Sequence, residues 1–153
     1  MLLQDLYSLG TLKLGIVGLP PLGCLPSQRT LRGGPNRDCA ESVNQAAIMF
    51  NSQLQKELKL LSNKLSGATL VYIDLYTPAT SIIQNPSLYG FEQANLGCCG
   101  TGTIEFAVLC NDKNPYTCRD DSKYVFWDSF HPTQKAYEEI VPRMLRDYIK
   151  LLF

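Results

Sequence analysis

Leu12-Lys-Leu-Gly-Ile-Val-Gly-Leu19 and Ala68-Thr-Leu-Val-Tyr-Ile-Asp-Leu75 are the two stretches on which the fold turns. Each is nearly continuous in apolar residues, which is how a parallel strand reads when helices cover both of its faces. Between them Val43, Ala47, Phe50, Leu54, Leu58, Leu61 and Leu65 recur every three or four residues, the spacing of an amphipathic helix, and Gly67 stops it. Strand, helix, strand over residues 12 to 75 is a crossover unit, so the two strands pair in parallel and the fold is α/β.

Outward from this unit, Leu2, Leu3, Leu6 and Leu9 fall at helical spacing and Gly10 is placed to cap that helix. Pro20-Pro-Leu-Gly-Cys-Leu-Pro26 must be a loop at the carboxyl end of a sheet strand, where open α/β folds place ligands, so it is a candidate site wall. Residues 28 to 38 are polar and rich in Gly and Pro. A short helix is expected from Pro78 to about Gln84, irregular chain from Asn85 to Lys123, and a short extended run over Tyr124-Val-Phe-Trp127. From Pro132 a final amphipathic helix carries Ala136, Tyr137, Ile140, Val141, Leu145, Tyr148 and Ile149, with a kink expected at Pro142. A strand as apolar as Leu12 to Leu19 belongs inside a sheet, yet only one other convincing strand is at hand. The reading is therefore the latter part of a larger sheet, with an uncovered edge through which copies could self-associate.

With 153 residues there is room for one domain. Fourteen Lys and Arg balance fourteen Asp and Glu, and no basic cluster supplies the field that gathers phosphates, so nucleic acid is excluded as a partner. A 45% hydrophobic and 18% charged composition suits a chain that buries a core. Leu14 to Gln28 is uncharged but broken by Gly and Pro, well short of the roughly 18 clean apolar residues of a membrane span. The first ten residues lack a basic segment and a small-residue cleavage site, so no signal peptide is expected in them.

Six cysteines, Cys24, Cys39, Cys98, Cys99, Cys110 and Cys118, contain no Cys-x-x-Cys pair, and a single histidine does not complete the usual zinc sets. Disulfides in an oxidising compartment account for them better. A bond between the neighbours Cys98 and Cys99 would be strained, so each is expected to bridge outward, to Cys110 and Cys118, leaving Cys24 with Cys39; six cysteines nevertheless allow fifteen pairings.

The one histidine, His131, sits in Trp127-Asp-Ser-Phe-His-Pro-Thr133 just before a helix. A carboxylate three residues earlier on a short turn can accept a hydrogen bond from one ring nitrogen, fix the tautomer and leave the other nitrogen as a general base, so Asp128 is read as orienting His131. The plainer alternative is a helix-capping Asp beside a surface His, because a bare Asp-x-x-His matches by chance. No nucleophile accompanies the pair: there is no Gly-x-Ser-x-Gly and no Gly-Asp-Ser. Ser8 lies late in a helix, and Ser129 is too close in sequence to turn onto His131. A thiolate at Cys98 or Cys99 would be competent, but disulfide bonding is the stronger account of both. Asp74 and Tyr76 lie at the same sheet end, although an Asp closing a strand is usually a turn or cap residue. Tyr116, Tyr124 and Trp127 read as packing, since no basic groove accompanies them.

Four blocks carry a resemblance. Gly15-Ile-Val-Gly-Leu-Pro-Pro-Leu-Gly-Cys-Leu-Pro26, Arg37-Asp-Cys-Ala-Glu-Ser-Val-Asn44, Gly97-Cys-Cys-Gly-Thr-Gly102 and Tyr124-Val-Phe-Trp-Asp-Ser-Phe-His-Pro-Thr133 stand in the order of the later blocks of plant GDSL esterase/lipases. Over essentially all 153 residues the chain resembles the carboxyl-terminal portion of that family, within the SGNH hydrolase superfamily. The resemblance implies part of a three-layer α/β/α, flavodoxin-like sandwich with parallel strands, its amino-terminal strands missing and residues 1–153 forming one partial domain. It implies carboxylic ester hydrolysis through an acyl-enzyme, without metal or organic cofactor, on small-molecule ester or lipid substrates in the secretory pathway. Asp128 and His131 match the family's orienting acid and general base. The family's catalytic serine and its oxyanion-hole glycine and asparagine have no counterparts, and Asn111-Asp112 lacks the preceding glycine. The chain alone is accordingly expected to be inactive; the alternative is a non-catalytic truncated isoform or a disulfide-stapled binding or association module.

Overall fold

The parallel crossover unit is present in the structure, a computed structural model that describes residues 2–100, 110–111 and 113–152. Helix α1 (Leu2–Ser8) leads into strand β1 (Lys13–Val17), and a 3-10 turn at Leu22–Cys24 precedes helix α2 (Pro26–Arg32). Helix α3 (Glu41–Lys64) crosses back to strand β2 (Thr69–Ile73), which pairs with β1 in parallel, Lys13 opposite Thr69 and Val17 opposite Ile73. Alternation along β2 sends Ile73 toward the carboxyl-terminal helix and Tyr72 toward α3, so this sheet lies between two helical layers. A parallel α/β fold is the result. Among the described residues β1 is paired on one side only, and Val17 is 48% exposed.

The second half of the chain holds more order than its composition suggests. Helix α4 (Tyr76–Gln84) and a 3-10 turn at Pro86–Tyr89 lead to strand β3 (Gln93–Gly97), which pairs in parallel with strand β4 (Tyr124–Phe126) as a second, separate sheet. The expectation of irregular chain from 85 to 123 is corrected here: Gln93-Ala-Asn-Leu-Gly97 has little strand propensity, and pairing with Tyr124-Val-Phe126 is what extends it. The polar stretch from 28 to 38 opens in helix α2, because Pro26 starts the helix at its first position and its buried Arg29 donates to the carbonyls of Cys24 and Arg37. Burial and then the Arg37 charge hold the Arg29 guanidinium below its usual range. Helix α5 (Gln134–Leu152) begins two residues after Pro132 and runs through Pro142.

The densest core gathers Ala79, Ile82 and Ile83 of α4, Phe91, Ala94, Val125 and Phe126 around β3 and β4, and Ala136 and Ile140 of α5. Burying each large aliphatic or aromatic side chain contributes roughly 1.5–3 kcal/mol. On both long helices, residues expected on the apolar face are exposed. Phe50 is 51% exposed, while Asn44 and Asn51 take the buried line of α3 with Ala47, Leu58 and Leu61. On α5, Tyr137, Val141, Leu145 and Ile149 form an exposed apolar stripe. Three disulfides close the chain: Cys24–Cys39, Cys98–Cys118 and Cys99–Cys110. Thr101 and Gly102 of the glycine-cysteine block, and Asp112 beside Asn111, lie outside the described residues.

Candidate active site

The turn that follows β4 is built by its own carboxylate. Asp128 Oδ1 accepts from the backbone N–H groups of Phe130 (2.8 Å) and His131 (2.7 Å), an Asx turn that folds the histidine back over the aspartate. The Trp127 N–H donates to the His131 carbonyl at 2.8 Å and closes the loop. On its far side the Thr133 hydroxyl accepts from Ala136 N–H (3.2 Å) and donates to Tyr124 O (2.8 Å), capping α5 and anchoring it to β4. Thr133, not Asp128, therefore caps the helix, and the capping alternative for Asp128 is corrected. The ladder continues past β3, with the N–H groups of Cys98 and Cys99 donating to Phe126 O and Trp127 O, so two disulfides brace the strand beside the turn.

Within this turn His131 Nδ1 stands 2.8 Å from Asp128 Oδ2 and 3.1 Å from Oδ1. An ionised carboxylate only accepts, so Nδ1 carries the proton and Nε2 presents its lone pair. The Asp128 side chain is 4% exposed and that of His131 66% exposed, so the pair has a buried anchor and an accessible tip. Nε2 makes no hydrogen bond among the described residues.

His131 stands at the rim of a cavity of about 310 Å³ with an almost wholly apolar lining. Pro20, Pro21 and Leu25 of the loop after β1, Leu75 with the α4 residues Ala79, Ile82 and Ile83, and Tyr137, Val141 and Met144 of α5 line it. The Pro20–Pro26 loop thus lies where the strand-end rule puts a site wall. Other expected residues are elsewhere. Cys98 and Cys99 are both in disulfides, which removes the thiol alternative. Ser8 is exposed at the end of α1 and donates to the Asp5 carbonyl. Ser129 is buried, its carbonyl receiving the Ser27 N–H. Asp74 accepts from Thr77 N–H at the start of α4, the cap role anticipated for it, and Tyr76 lies within that helix. Among the described residues no cluster of His, Cys, Asp or Glu could hold a metal ion, and no helix is long and apolar enough to cross a membrane.

Comparison with known proteins adds the family. The profile described as GDSL-like lipase/acylhydrolase matches residues 1–144. The chain belongs to that family. Among its GDSL relatives in Arabidopsis thaliana, the GDSL esterase/lipase EXL3 is 50% identical over 144 residues, 94% of this chain and 40% of the relative. The GDSL esterase/lipase At5g42170 is 46% identical over 147 residues, 96% of this chain and 40% of that protein. The GDSL chain thus spans about two-fifths of the length of these curated relatives.

The residues overlooked in the sequence are Asn44 and Asn51, the polar members of α3's buried line. Their signal was the unbroken three-four spacing 44, 47, 51, 54, 58, 61, 65, which holds only if asparagine is allowed on the buried face.

Proposed function

We propose that this chain supplies the acid–base pair of a carboxylic ester hydrolase, with His131 as general base and Asp128 as the carboxylate that orients it. The carrying observation is the 2.8 Å Nδ1–Oδ2 contact on a buried aspartate, with the exposed His131 side chain lining an apolar cavity. In the reaction Nε2 takes the proton of a serine hydroxyl as that oxygen attacks the ester carbonyl, and the resulting imidazolium returns it to the departing alkoxide. Water, activated by the same nitrogen, then releases the acid from the acyl-enzyme. The apolar cavity receives the acyl part of the ester, and the alcohol faces solvent. Substrates are lipid-like or acylated small molecules, and the three disulfides favour the secretory pathway.

The sequence contains no Gly-Asp-Ser block, and Nε2 has no hydroxyl partner among the described residues. The proposal carries the expectation that the chain on its own is inactive: a fluorophosphonate probe leaves it unlabelled. Labelling of one of its own serines, lost in His131→Ala, would refute this. A second reading, a non-catalytic association module, is favoured by the one-sided pairing of β1 and the exposed α5 stripe. Concentration-dependent dimers by light scattering, abolished by Leu145→Glu, would favour it; a monomer at all concentrations would remove it.

A further inference from the structure

Asn44 and Asn51 are each 5% exposed on α3, seven residues and about 10.5 Å apart on one face. A buried carboxamide is destabilising unless bonded, and both are bonded to the same loop. Asn51 Oδ1 accepts from Leu19 N–H at 2.8 Å and its Nδ2 donates to Leu19 O at 2.9 Å, a two-point grip on one peptide residue. Asn44 Oδ1 accepts from Gly23 N–H at 2.8 Å, and its Nδ2 lies 3.4 Å from Cys24 Sγ. Between the two grips stand Pro20 and Pro21, which line the cavity that His131 also lines. Within this segment the Leu22 N–H donates to Pro20 O at 2.7 Å and the Cys24 N–H to Pro21 O at 2.9 Å, but the two prolines have no N–H of their own with which to tie the segment to α3. Its far end has other ties, the Cys24–Cys39 disulfide and the Ala40 N–H on Gly23 O at 2.8 Å. At the Leu19 end, Asn51 is the side-chain tie among the described residues.

We propose that Asn44 and Asn51 are positioning residues that set the width of the His131 cavity, Asn51 the more decisive, and so select unbranched acyl chains over branched ones. This rests on the cavity receiving the acyl group, and two readouts keep the claims apart. Calorimetric titration of the whole chain with octanoate and with its branched isomer 2-ethylhexanoate is expected to give octanoate at least fivefold tighter. Asn51→Ala reduces that preference to less than twofold, and Asn44→Ala reduces it less. Amide exchange in the same variants supplies the second readout, at Leu22 and Cys24, whose N–H groups bond to Pro20 O and Pro21 O rather than to either asparagine. Exchange there accelerates at least tenfold in Asn51→Ala while Ile16 in β1 keeps its protection. Full preference together with unchanged Leu22 and Cys24 exchange overturns the proposal. Should neither carboxylate bind the wild-type chain, the acyl reading falls and the exchange data alone decide the positioning. Should Asn51→Ala lose protection at Ile16, Asn51→Asp, equal in size but without the donor to Leu19 O, is read by the same criteria.

Discussion

Replacing Asp128 tests the candidate pair most finely, because alanine and asparagine remove different parts of its work. Asp128→Ala deletes three contacts: the N–H groups of Phe130 and His131 and the ring Nδ1. Hydrogen bonds to a charged group contribute roughly 1.5–3 kcal/mol each when buried. The acceptor is buried, but the His131 side chain is 66% exposed and water can reach the freed donors. The low end for the two backbone bonds, with little for the exposed ring, gives about 3 kcal/mol. At roughly 2–4 °C per kcal/mol for a chain of this size, Tm falls by about 6–12 °C. Asp128→Asn keeps an Oδ1 acceptor for both N–H groups and is expected to cost about 1 kcal/mol. What it changes is the ring: an amide that donates to Nδ1 moves the proton to Nε2 and removes the base. Nitrogen-15 NMR of His131 in alkaline buffer reads this directly, with Nδ1–H in the wild type and Nε2–H in Asp128→Asn. A wild-type ring protonated on Nε2, or equal Tm losses for the two variants, would refute the reasoning.

Further outcomes are expected from the supporting frame. Replacing both Cys24 and Cys39 by alanine opens a loop of 15 residues and is expected to cost about 3 kcal/mol, read by urea unfolding under non-reducing conditions. Thr133→Val loses the cap on α5 and the bond to Tyr124 O, and about 1–2 kcal/mol in the same assay. Gly23→Ala drives a methyl into the Ala40 carbonyl oxygen, which is backbone and does not yield, so a loss of at least about 2 kcal/mol is expected; a neutral result would mean the loop can lift off α3.

The parts legible in the sequence are those whose physics is local. The apolar runs at Leu12–Leu19 and Ala68–Leu75 and the long periodic helix between them need no partner to be read, and Asp128 and His131 lie within one turn. What stayed hidden depends on distant chain. β3 exists because Tyr124-Val-Phe126 pairs with it and because Arg37 reaches across to the Asn95 carbonyl at 3.0 Å. α2 reads as polar because its buried member is an arginine, whose donors are satisfied by Cys24 O and Arg37 O. Apolar periodicity points to Phe50 rather than Asn51 because it discounts a residue buried for its hydrogen bonds. The cavity beside His131 is invisible for a related reason, since its lining comes from four separate segments.

Under the proposed function, His131 activates a serine that lies outside these 153 residues. The direct measurement is fluorophosphonate labelling after co-expression with the unmatched portion of EXL3, about three-fifths of that protein, as a separate polypeptide. Labelling of a serine on the added polypeptide is expected, abolished by His131→Ala and reduced by orders of magnitude in Asp128→Asn. Labelling that persists undiminished in His131→Ala would contradict it.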